Sequence, residues 1–465
     1  MHRSVPFALL VALPFVLGGC DKVERAADVA SGFVSHQLCS ATFVSGLEPE
    51  QYYREAIAPT LKPVGFLSSH AVDRQHHEVA AGFAGIASAR AAYRGPLGCL
   101  LETGNPPAAA VLPRAKAAPA LLPEIADPQI VEPAQPALRQ ALDKAFRENP
   151  EPPFRQTKAV VVVHDGRVIA ERYTPGYGVD TPMLGWSMTK SVSNALLGIL
   201  VREGKLDMNA PAPIAAWADP KDPRHAITPD NLLRMNSGLD IGQSMTASAS
   251  TAFDPTAYMV FGGERDMAGF AERAPLKAAP GTWWNYTNGN TLLLSRMIRD
   301  NAGGNAAGVM DFAHRELFDK LGMRHVTLEF DATGTPIGSS HMFASARDWA
   351  RFGLLYLNDG VVGGERILPE GWVDYSASQT PGSGFYGYGS GFWTNRGGGE
   401  GAAWRIAHGM PADAFMARGS GGQYTIIVPS HRLVIVRLGP AFTSRDDMAV
   451  VAQLIADVIA TLPKS

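Results

Sequence analysis

Charge is scarce in this chain. Of 465 residues 18% are charged, and 41 Lys and Arg against 44 Asp and Glu leave a net charge of −3. That balance removes the electrostatic case for nucleic-acid binding, which needs a basic face. Cysteine is scarcer still: Cys20, Cys39 and Cys99 are the 3 present, so no thiol is available as a nucleophile in the long remainder of the chain. Their spacing fits no metal site. The pattern Gly-x-Ser-x-Gly is missing, so the nucleophile elbow of the α/β-hydrolases is unsupported. Internal repeats, heptads and a second apolar run of membrane length are missing too. What is present, at 46% hydrophobic residues, is a globular chain with room for more than one domain.

The most informative stretch is Ser187-Met188-Thr189-Lys190, at the head of an apolar-periodic segment. The spacing predicts a helix over 187–203, closed by Gly204. Positions i and i+3 share a helix face, so the Lys190 amine falls beside the Ser187 hydroxyl. Serine needs a base to become a nucleophile, and a lysine one turn away supplies one without histidine. As a bare pattern Ser-x-x-Lys is weak; its partners give it weight. Tyr286-Thr287-Asn288 follows the loop Ala279-Pro280-Gly281-Thr282-Trp283-Trp284, and alternate residues of extended chain point the same way. Arg418-Gly419-Ser420-Gly421-Gly422-Gln423 then leads into the apolar run Tyr424-Thr425-Ile426-Ile427-Val428, where glycines permit close approach of a backbone or ligand.

In that order, these three motifs resemble the penicillin-recognising serine hydrolases: class C β-lactamases, D-alanyl-D-alanine carboxypeptidases, and the esterases and amidases of the same fold. The flanks are most similar to the aminohexanoate-dimer hydrolase branch. They are Gly185-Trp186 before Ser187, Leu232-Leu233-Arg234-Met235-Asn236-Ser237-Gly238-Leu239, Leu317-Phe318-Asp319-Lys320-Leu321-Gly322-Met323, and Met410-Pro411-Ala412-Asp413-Ala414-Phe415-Met416-Ala417 before Arg418. The resemblance covers about residues 150 to 463 and implies an acyl-enzyme on Ser187, with Lys190 and Tyr286 hydrogen-bonded to it and Asn288 orienting the lysine and the substrate. It implies no metal and no organic cofactor.

The chemistry sets a condition on Lys190. At a solvated pKa of about 10.4 the neutral amine costs about 4.6 kcal/mol at pH 7. Burial must lower that cost, or Tyr286 must share the proton, its phenolate stabilised by a nearby ammonium. Tyr286 is the expected final relay to the leaving group. Acyl transfer also needs two donors for the oxyanion. The Ser187 backbone N–H at a helix start is the first. The second is expected from Gln423, after Gly421-Gly422, with Ser420, Gly422 and Arg418 as further substrate-binding candidates. Here the chain departs from its relatives. β-Lactamases and carboxypeptidases carry Lys-Thr-Gly on that strand, whereas this chain has Ser420-Gly421-Gly422. The missing lysine weakens any grip on a penicillin or peptide carboxylate, for which Arg418 is the candidate replacement.

The amino terminus reads as an export signal: His2 and Arg3, a short apolar run over 5–17, then Leu17-Gly18-Gly19-Cys20, which resembles the bacterial lipoprotein cleavage box. The resemblance implies removal of residues 1–19 and acylation of Cys20, which anchors the chain in a lipid bilayer. Localisation at the periplasmic face of a bacterial membrane follows, Asp21 being a weak hint of the inner one. With Cys20 acylated, Cys39 and Cys99 remain as an even pair in an exported protein, and a disulfide between them is expected. It closes a loop of about sixty residues, worth roughly 4 kcal/mol.

The expected organisation is a signal over 1–19, a small disulfide-linked domain over 20–102, a Pro/Ala-rich spacer over 103–136, and the hydrolase domain over 137–465. The spacer carries prolines at 106, 107, 113, 119, 123, 128, 133 and 136 and lacks core periodicity. In the last domain, apolar runs about Asp165-Gly166 predict a hairpin over 158–173. The middle, 225–360, reads as helices and loops. Strands are expected at 391–394, 414–417, 423–428 and 433–438, and a helix from Ser444 to Leu462. The fold class is α+β, β-lactamase/transpeptidase-like: an antiparallel sheet flanked by helices with an inserted helical lobe.

Other candidates carry less. His76-His77-Glu78 lacks zinc-protease spacing, His164, His341 and His408 are scattered, and Gly397-Gly398-Gly399 has no nucleotide-loop context. Trp283, Trp284, Trp393 and Trp404 are pocket or core aromatics. The expectation is a tethered serine hydrolase acting on a small ester, amide or short peptide-like substrate. A β-lactamase, a D-alanyl-D-alanine carboxypeptidase and a non-hydrolytic sensor on the same fold are the alternatives.

Overall fold

Four consecutive valines, Val160, Val161, Val162 and Val163, account for the middle of the molecule. In a strand successive side chains face opposite ways, so an unbroken apolar run needs cover on both faces. A computed structural model, describing residues 13–102, 119–245, 249–442 and 446–463, shows that cover. Val161 and Val163 join one core cluster. Val160 and Val162 join another.

In chain order the elements that position the site are these. Helix α1 spans Leu13–Cys39, and strands β1 Ser68–Asp73, β2 Glu78–Phe83, β3 Ala87–Tyr93 and β4 Cys99–Leu101 follow. Helix α2 is Pro136–Ala145, then come β5 Ala159–His164, β6 Arg167–Tyr173, β7 Met183–Leu184 and helix α3 Thr189–Arg202. Helix α4 is Asn288–Asn301, with β8 Val326–Leu328, β9 Met342–Ala344 and helix α5 Ala346–Leu357 after it. The C-terminal part has β10 Trp393–Thr394, β11 Phe415–Gly419, β12 Gln423–Val428, β13 Leu433–Leu438 and helix α6 Asp446–Ile459. The main sheet is antiparallel, in the order β10-β11-β12-β13-β5-β6. β7, β9 and β8 make a small second sheet.

One face of the main sheet packs on α3 and α5. Gly353 of α5 has to be glycine, since a Cβ there would lie 2.6 Å from Val434. The other face is covered by α2 and α6, through Leu138, Leu142, Val451 and Ile455. Residues 205–245 and 249–321 supply the helical lobe beside α3. The hairpin and the late strands stand where the sequence puts them, β11 starting at Phe415 and β10 being shorter; Ser444 lies outside the described residues.

The amino-terminal module is α1 laid on the four-stranded antiparallel sheet β1-β2-β3-β4. A disulfide joins Cys39 at the end of α1 to Cys99 at the start of β4, their Cα atoms 6.1 Å apart. The backbone of α1 continues through Cys20, whose side chain lies outside the described set, as do residues 1–12. Among the described residues no helix is long and apolar enough to cross a membrane.

Two findings change the expected organisation. Residues 119–136 are no free spacer; they form a strap along the main domain, the rest of the expected spacer to 118 lying outside the described residues. Leu122 and Ile125 are buried, Val168 N–H donates to the Ile125 carbonyl at 2.8 Å, and Glu171 N–H donates to the Val131 carbonyl at 3.0 Å. β6 is a sheet edge that needs partners. A proline-punctuated extended chain can satisfy it wherever the apolar residues between prolines face inward.

The second is that a fully buried carboxylate bolts the module to the main domain. Glu329 Oε1 accepts from Ser40 Oγ at 2.7 Å and from the Cys99 N–H at 2.8 Å, while Oε2 lies 2.9 Å from His36 Nε2. Gly98 makes room, because a Cβ there would meet the Glu329 side chain at 2.5 Å. A buried carboxylate is tolerable only when so partnered. Glu329→Ala strands three polar groups and is expected to cost about 3 kcal/mol or more. Urea unfolding beside an exposed control, Glu132→Ala, measures the difference.

Candidate active site

Ser187 stands at the junction between β7 and α3. Gly185 precedes it because a Cβ there would run into Trp349 at 2.3 Å. Trp186 takes a left-handed backbone with φ of +48°. That conformation is costly for a residue with a Cβ, and strain of this sort gathers at functional turns. Ser187 itself lies in a single 3-10 turn, Trp186–Met188, that runs directly into α3. The i, i+3 geometry read from the sequence therefore holds.

Lys190 is 1% exposed, with no acid among its partners. Its Nζ lies 3.2 Å from Ser187 Oγ, 2.8 Å from Asn288 Oδ1 and 2.8 Å from the Ser339 carbonyl. Burial drives its pKa from 10.5 down to about 7. Asn288 is the first residue of α4, and its N–H donates to Ser244 Oγ at 3.1 Å. Tyr286 precedes it on extended chain, fully buried, with Ser187 near enough to favour its phenolate. Burial holds its phenol well above the ordinary range, against the opposing pull of nearby Ser187 and the Arg418 charge. The Lys190 ammonium position lies over the Tyr286 ring face, 4.9 Å from the centroid. Four residues from two stretches a hundred positions apart thus meet around one hydroxyl.

Tyr286 is also a packed aromatic. Its ring lies 5.5 Å from Tyr388 and 5.4 Å from Trp393, with Trp284 at 6.4 Å. Trp404 packs against the same cluster and stacks on His408 at 3.9 Å. Trp283 lies under Lys277.

The glycine-bearing segment is arranged differently from expectation. The strand end that abuts the serine is β11, not β12: a Cβ on Gly419 would come 2.1 Å from the Gly185 carbonyl and 3.0 Å from Trp186. Ser420 is the next residue, half-buried beside that contact. Gln423 pairs with Gly419 across the ladder, one strand further from Ser187. Its side chain is occupied: Nε2 donates to the carbonyls of Gly421 and Gly439 at 2.9 and 2.8 Å, and Oε1 accepts from Gly439 N–H at 2.9 Å. Gln423 therefore braces the turn rather than facing the serine. Gly421 and Gly422 are its left-handed residues, φ +67° and +77°, and the Gly422 carbonyl accepts from Arg437 at 2.8 Å. Arg418, on β11, stacks over Trp393 at 5.2 Å and Tyr424 at 5.9 Å, close enough for its charge to act on Tyr286.

Sequence reasoning missed the Ser339 carbonyl and Ser244, which no pattern marks, since both lie on loops whose path is set by the tertiary fold. It also passed over His36 and Glu329. His36, Glu329 and His341 are the one group of metal-ligand residue types found together among the described residues, within 4.8 Å of one another. They form a polar network: His341 stacks on His36 at 4.7 Å, and its ring nitrogens meet Ser340 Oγ at 2.8 Å and Gln37 Nε2 at 3.4 Å. Burial, with His36 alongside, holds His341 neutral. His76 pairs with Asp73 on the surface.

Comparison with known proteins gives the family. The pattern of the Beta-lactamase family matches residues 142–460. A 6-aminohexanoate-dimer hydrolase of Paenarthrobacter ureafaciens is 28% identical over 255 residues, 52% of this chain and 63% of that protein. The chain thus spans under two thirds of that relative's length. Among solved structures, a Bacillus anthracis protein named as a candidate 6-aminohexanoate-dimer hydrolase superposes with a TM-score of 0.56 at 24% identity, over 74% of this chain and 88% of that one. A class C beta lactamase from Rhodobacter sphaeroides gives 0.52 at 18% identity, over 70% of this chain and all of that one. With the family pattern covering most of its length, this chain belongs to the Beta-lactamase family.

Proposed function

We propose that the protein hydrolyses ester or amide bonds through an acyl-enzyme on Ser187, and that acylated Cys20 tethers it to a bacterial membrane. One observation carries the catalytic half: a buried lysine with a pKa of about 7, no acidic neighbour, and the serine among its three partners. A neutral amine has two N–H donors and one lone pair. The two shorter contacts, both 2.8 Å, go to carbonyl oxygens that can only accept. The lone pair is then left for the Ser187 O–H at 3.2 Å. Lys190 in this state is a general base near neutral pH, where bases work best.

The steps follow. Ser187 Oγ passes its proton to Lys190 Nζ and bonds to the substrate carbonyl carbon, whose oxygen takes the electron pair. Tyr286 stays a neutral phenol because burial disfavours its anion, so it is a proton donor. It gives its proton to the departing alcohol or amine as the bond to carbon breaks, and recovers one from Lys190. Water repeats the sequence to free the acid. The oxyanion is met by the N–H of Ser187 and, in this reading, by the N–H of Ser420, since the β11 end abuts the serine turn. Hydrolase relatives of this family, including the 6-aminohexanoate-dimer hydrolase, support the reaction class.

Where β-lactamases carry lysine this chain has Ser420, and Arg418, two residues earlier, is stacked on two aromatic rings. Substrates without a carboxylate to hold are therefore favoured. The membrane tether rests on Leu17-Gly18-Gly19-Cys20. Mass spectrometry of the mature amino terminus from bacterial membranes tests it, the expected result being a lipid-modified Cys20.

Three outcomes test the catalytic reading. A nitrophenyl ester is expected to be hydrolysed far faster than a chromogenic cephalosporin, with Ser187→Ala and Lys190→Ala each lowering kcat/KM by about four orders of magnitude. The base must be neutral, so kcat/KM is expected to rise with pH through about 7 and level off above it, measured from pH 5 to 9. Gly419→Ala presses the strand against Gly185 and is expected to lower kcat about a hundredfold, with the circular dichroism spectrum unchanged.

A further inference from the structure

The Ser339 carbonyl, which accepts from Lys190 at 2.8 Å, belongs to a short loop, residues 337–341, that leads into β9. One side of this loop is pressed on the main domain: a Cβ on Gly338 would lie 2.5 Å from Ser193 Oγ of α3 and from Ser295 Oγ of α4. Another side is held by the amino-terminal module. The ring of His341 lies on that of His36 in α1, centroids 4.7 Å apart and 10° from parallel. Gln37 Nε2 stands 3.4 Å from His341 Nε2. An amide nitrogen only donates, so His341 Nε2 is the acceptor, and Nδ1 carries the proton that goes to Ser340 Oγ at 2.8 Å. Ser340 Oγ in turn meets Ser339 Oγ at 3.2 Å.

Glu329, held by His36 and Ser40, fixes both ends of the loop. Its N–H donates to the His341 carbonyl at 2.9 Å, and its carbonyl accepts from the Ile337 N–H at 2.8 Å. None of His36, Gln37, Ser339, Ser340 and His341 is more than 5% exposed, so water is kept out of this side of the amine. The same helix reaches the serine turn. Phe33 of α1 stacks on Trp186, whose ring meets His341 edge-on at 6.0 Å. Met342 N–H donates to Thr189 Oγ1, which donates to the Trp186 carbonyl, so the end of the loop is tied to the turn that carries Ser187.

We propose that His36 and Gln37 of the amino-terminal module, acting through His341, are positioning residues for Lys190: they hold the Ser339 carbonyl on the amine and keep water from it. The inference rests on the reading of Lys190 as general base, and it gives the module a part in the reaction. Around the amine stand Ser187 of its own turn, Asn288 of α4, the Ser339 carbonyl and the Tyr286 ring, with the Arg418 charge of β11 acting on Tyr286. Behind the loop the chargeable groups are His36, Glu329 and His341, with Arg94 beyond Glu329. A loosened loop admits water to the amine and eases its protonation, so its pKa climbs from about 7 back towards 10.5.

The test is the pH profile of kcat/KM for nitrophenyl acetate between about pH 5 and 10. His36→Ala is expected to move the midpoint up by about half a unit or more, and to lower kcat about tenfold with KM changed less than about twofold. His341→Ala is expected to act in the same way, and His341→Asn, whose amide can restore the bond to Ser340, to recover part of the loss. Ser340→Ala deletes one hydroxyl and is expected to move the midpoint in the same direction should the histidine variants fail to fold. His76→Ala, which breaks a surface pair in the same module, is expected to leave the profile unchanged. A merely structural role lowers the active fraction and leaves the midpoint in place, so midpoints for His36→Ala and Ser340→Ala that coincide with the unsubstituted protein's overturn the proposal. Loss of the acid limb in His36→Ala assigns that limb to the histidine and overturns it too. Lys190→Ala separates the two readings: if it keeps full activity, the general base itself is wrong and the proposal falls with it.

Discussion

The interaction on which the structure turns is an amine held in the protein interior without a counter-charge. Removing an ammonium from water is costly, and a protein normally answers by pairing it with a carboxylate. Here the partners are a hydroxyl, an amide oxygen and a backbone carbonyl. Each of the three comes from a different element, so the turn before α3, the start of α4 and the loop before β9 must all be in place before the amine has its bonds. The family's architecture, a sheet with helices on both faces and a helical lobe beside it, is the scaffold that brings those three together. A carboxylate in the same place would hold the lysine charged and remove its capacity as a base.

Around that centre the fold uses backbone freedom sparingly. The serine turn needs a glycine at 185 to clear Trp349 and a glycine at 419 to let β11 reach the turn. Trp186 accepts an unfavourable conformation between them. The same residue ties the catalytic turn to α1 through Phe33. Among the contacts that join the module to the rest of the chain are the apolar one beside the serine, the buried Glu329 network and the Glu55–Lys158 ion pair. That degree of burial is unlike the small polar contacts that join independently moving domains, and it explains why the strap of residues 119–136 lies flat on the sheet edge instead of holding two bodies apart.

Much of this was legible beforehand where the signal is local. The i, i+3 placement of Ser187 and Lys190, the hairpin at Asp165-Gly166, and the strands at 423–428 and 433–438 all follow from period and turn chemistry. The pairing of Cys39 with Cys99 followed from counting. What escaped was long-range. Gln423 is an attractive oxyanion donor in the sequence because glycines precede it, yet register puts those glycines at a turn and leaves the preceding strand end against the serine. The proline-rich strap reads as a spacer because prolines dominate its composition, while three separated apolar residues, Leu122, Ile125 and Val131, decide its path. Glu329 carried no motif at all; its role exists only once β4, α1 and β8 have come together.

The proposed nucleophile is Ser187, activated by a neutral Lys190, and on that proposal it forms covalent adducts. Intact-protein mass spectrometry after treatment with an alkyl fluorophosphonate reads this directly, with peptide mapping to locate the adduct. One adduct per chain on Ser187, forming more slowly as the pH falls below about 7, is the predicted result. An adduct on any other residue, or none in a folded protein, contradicts it.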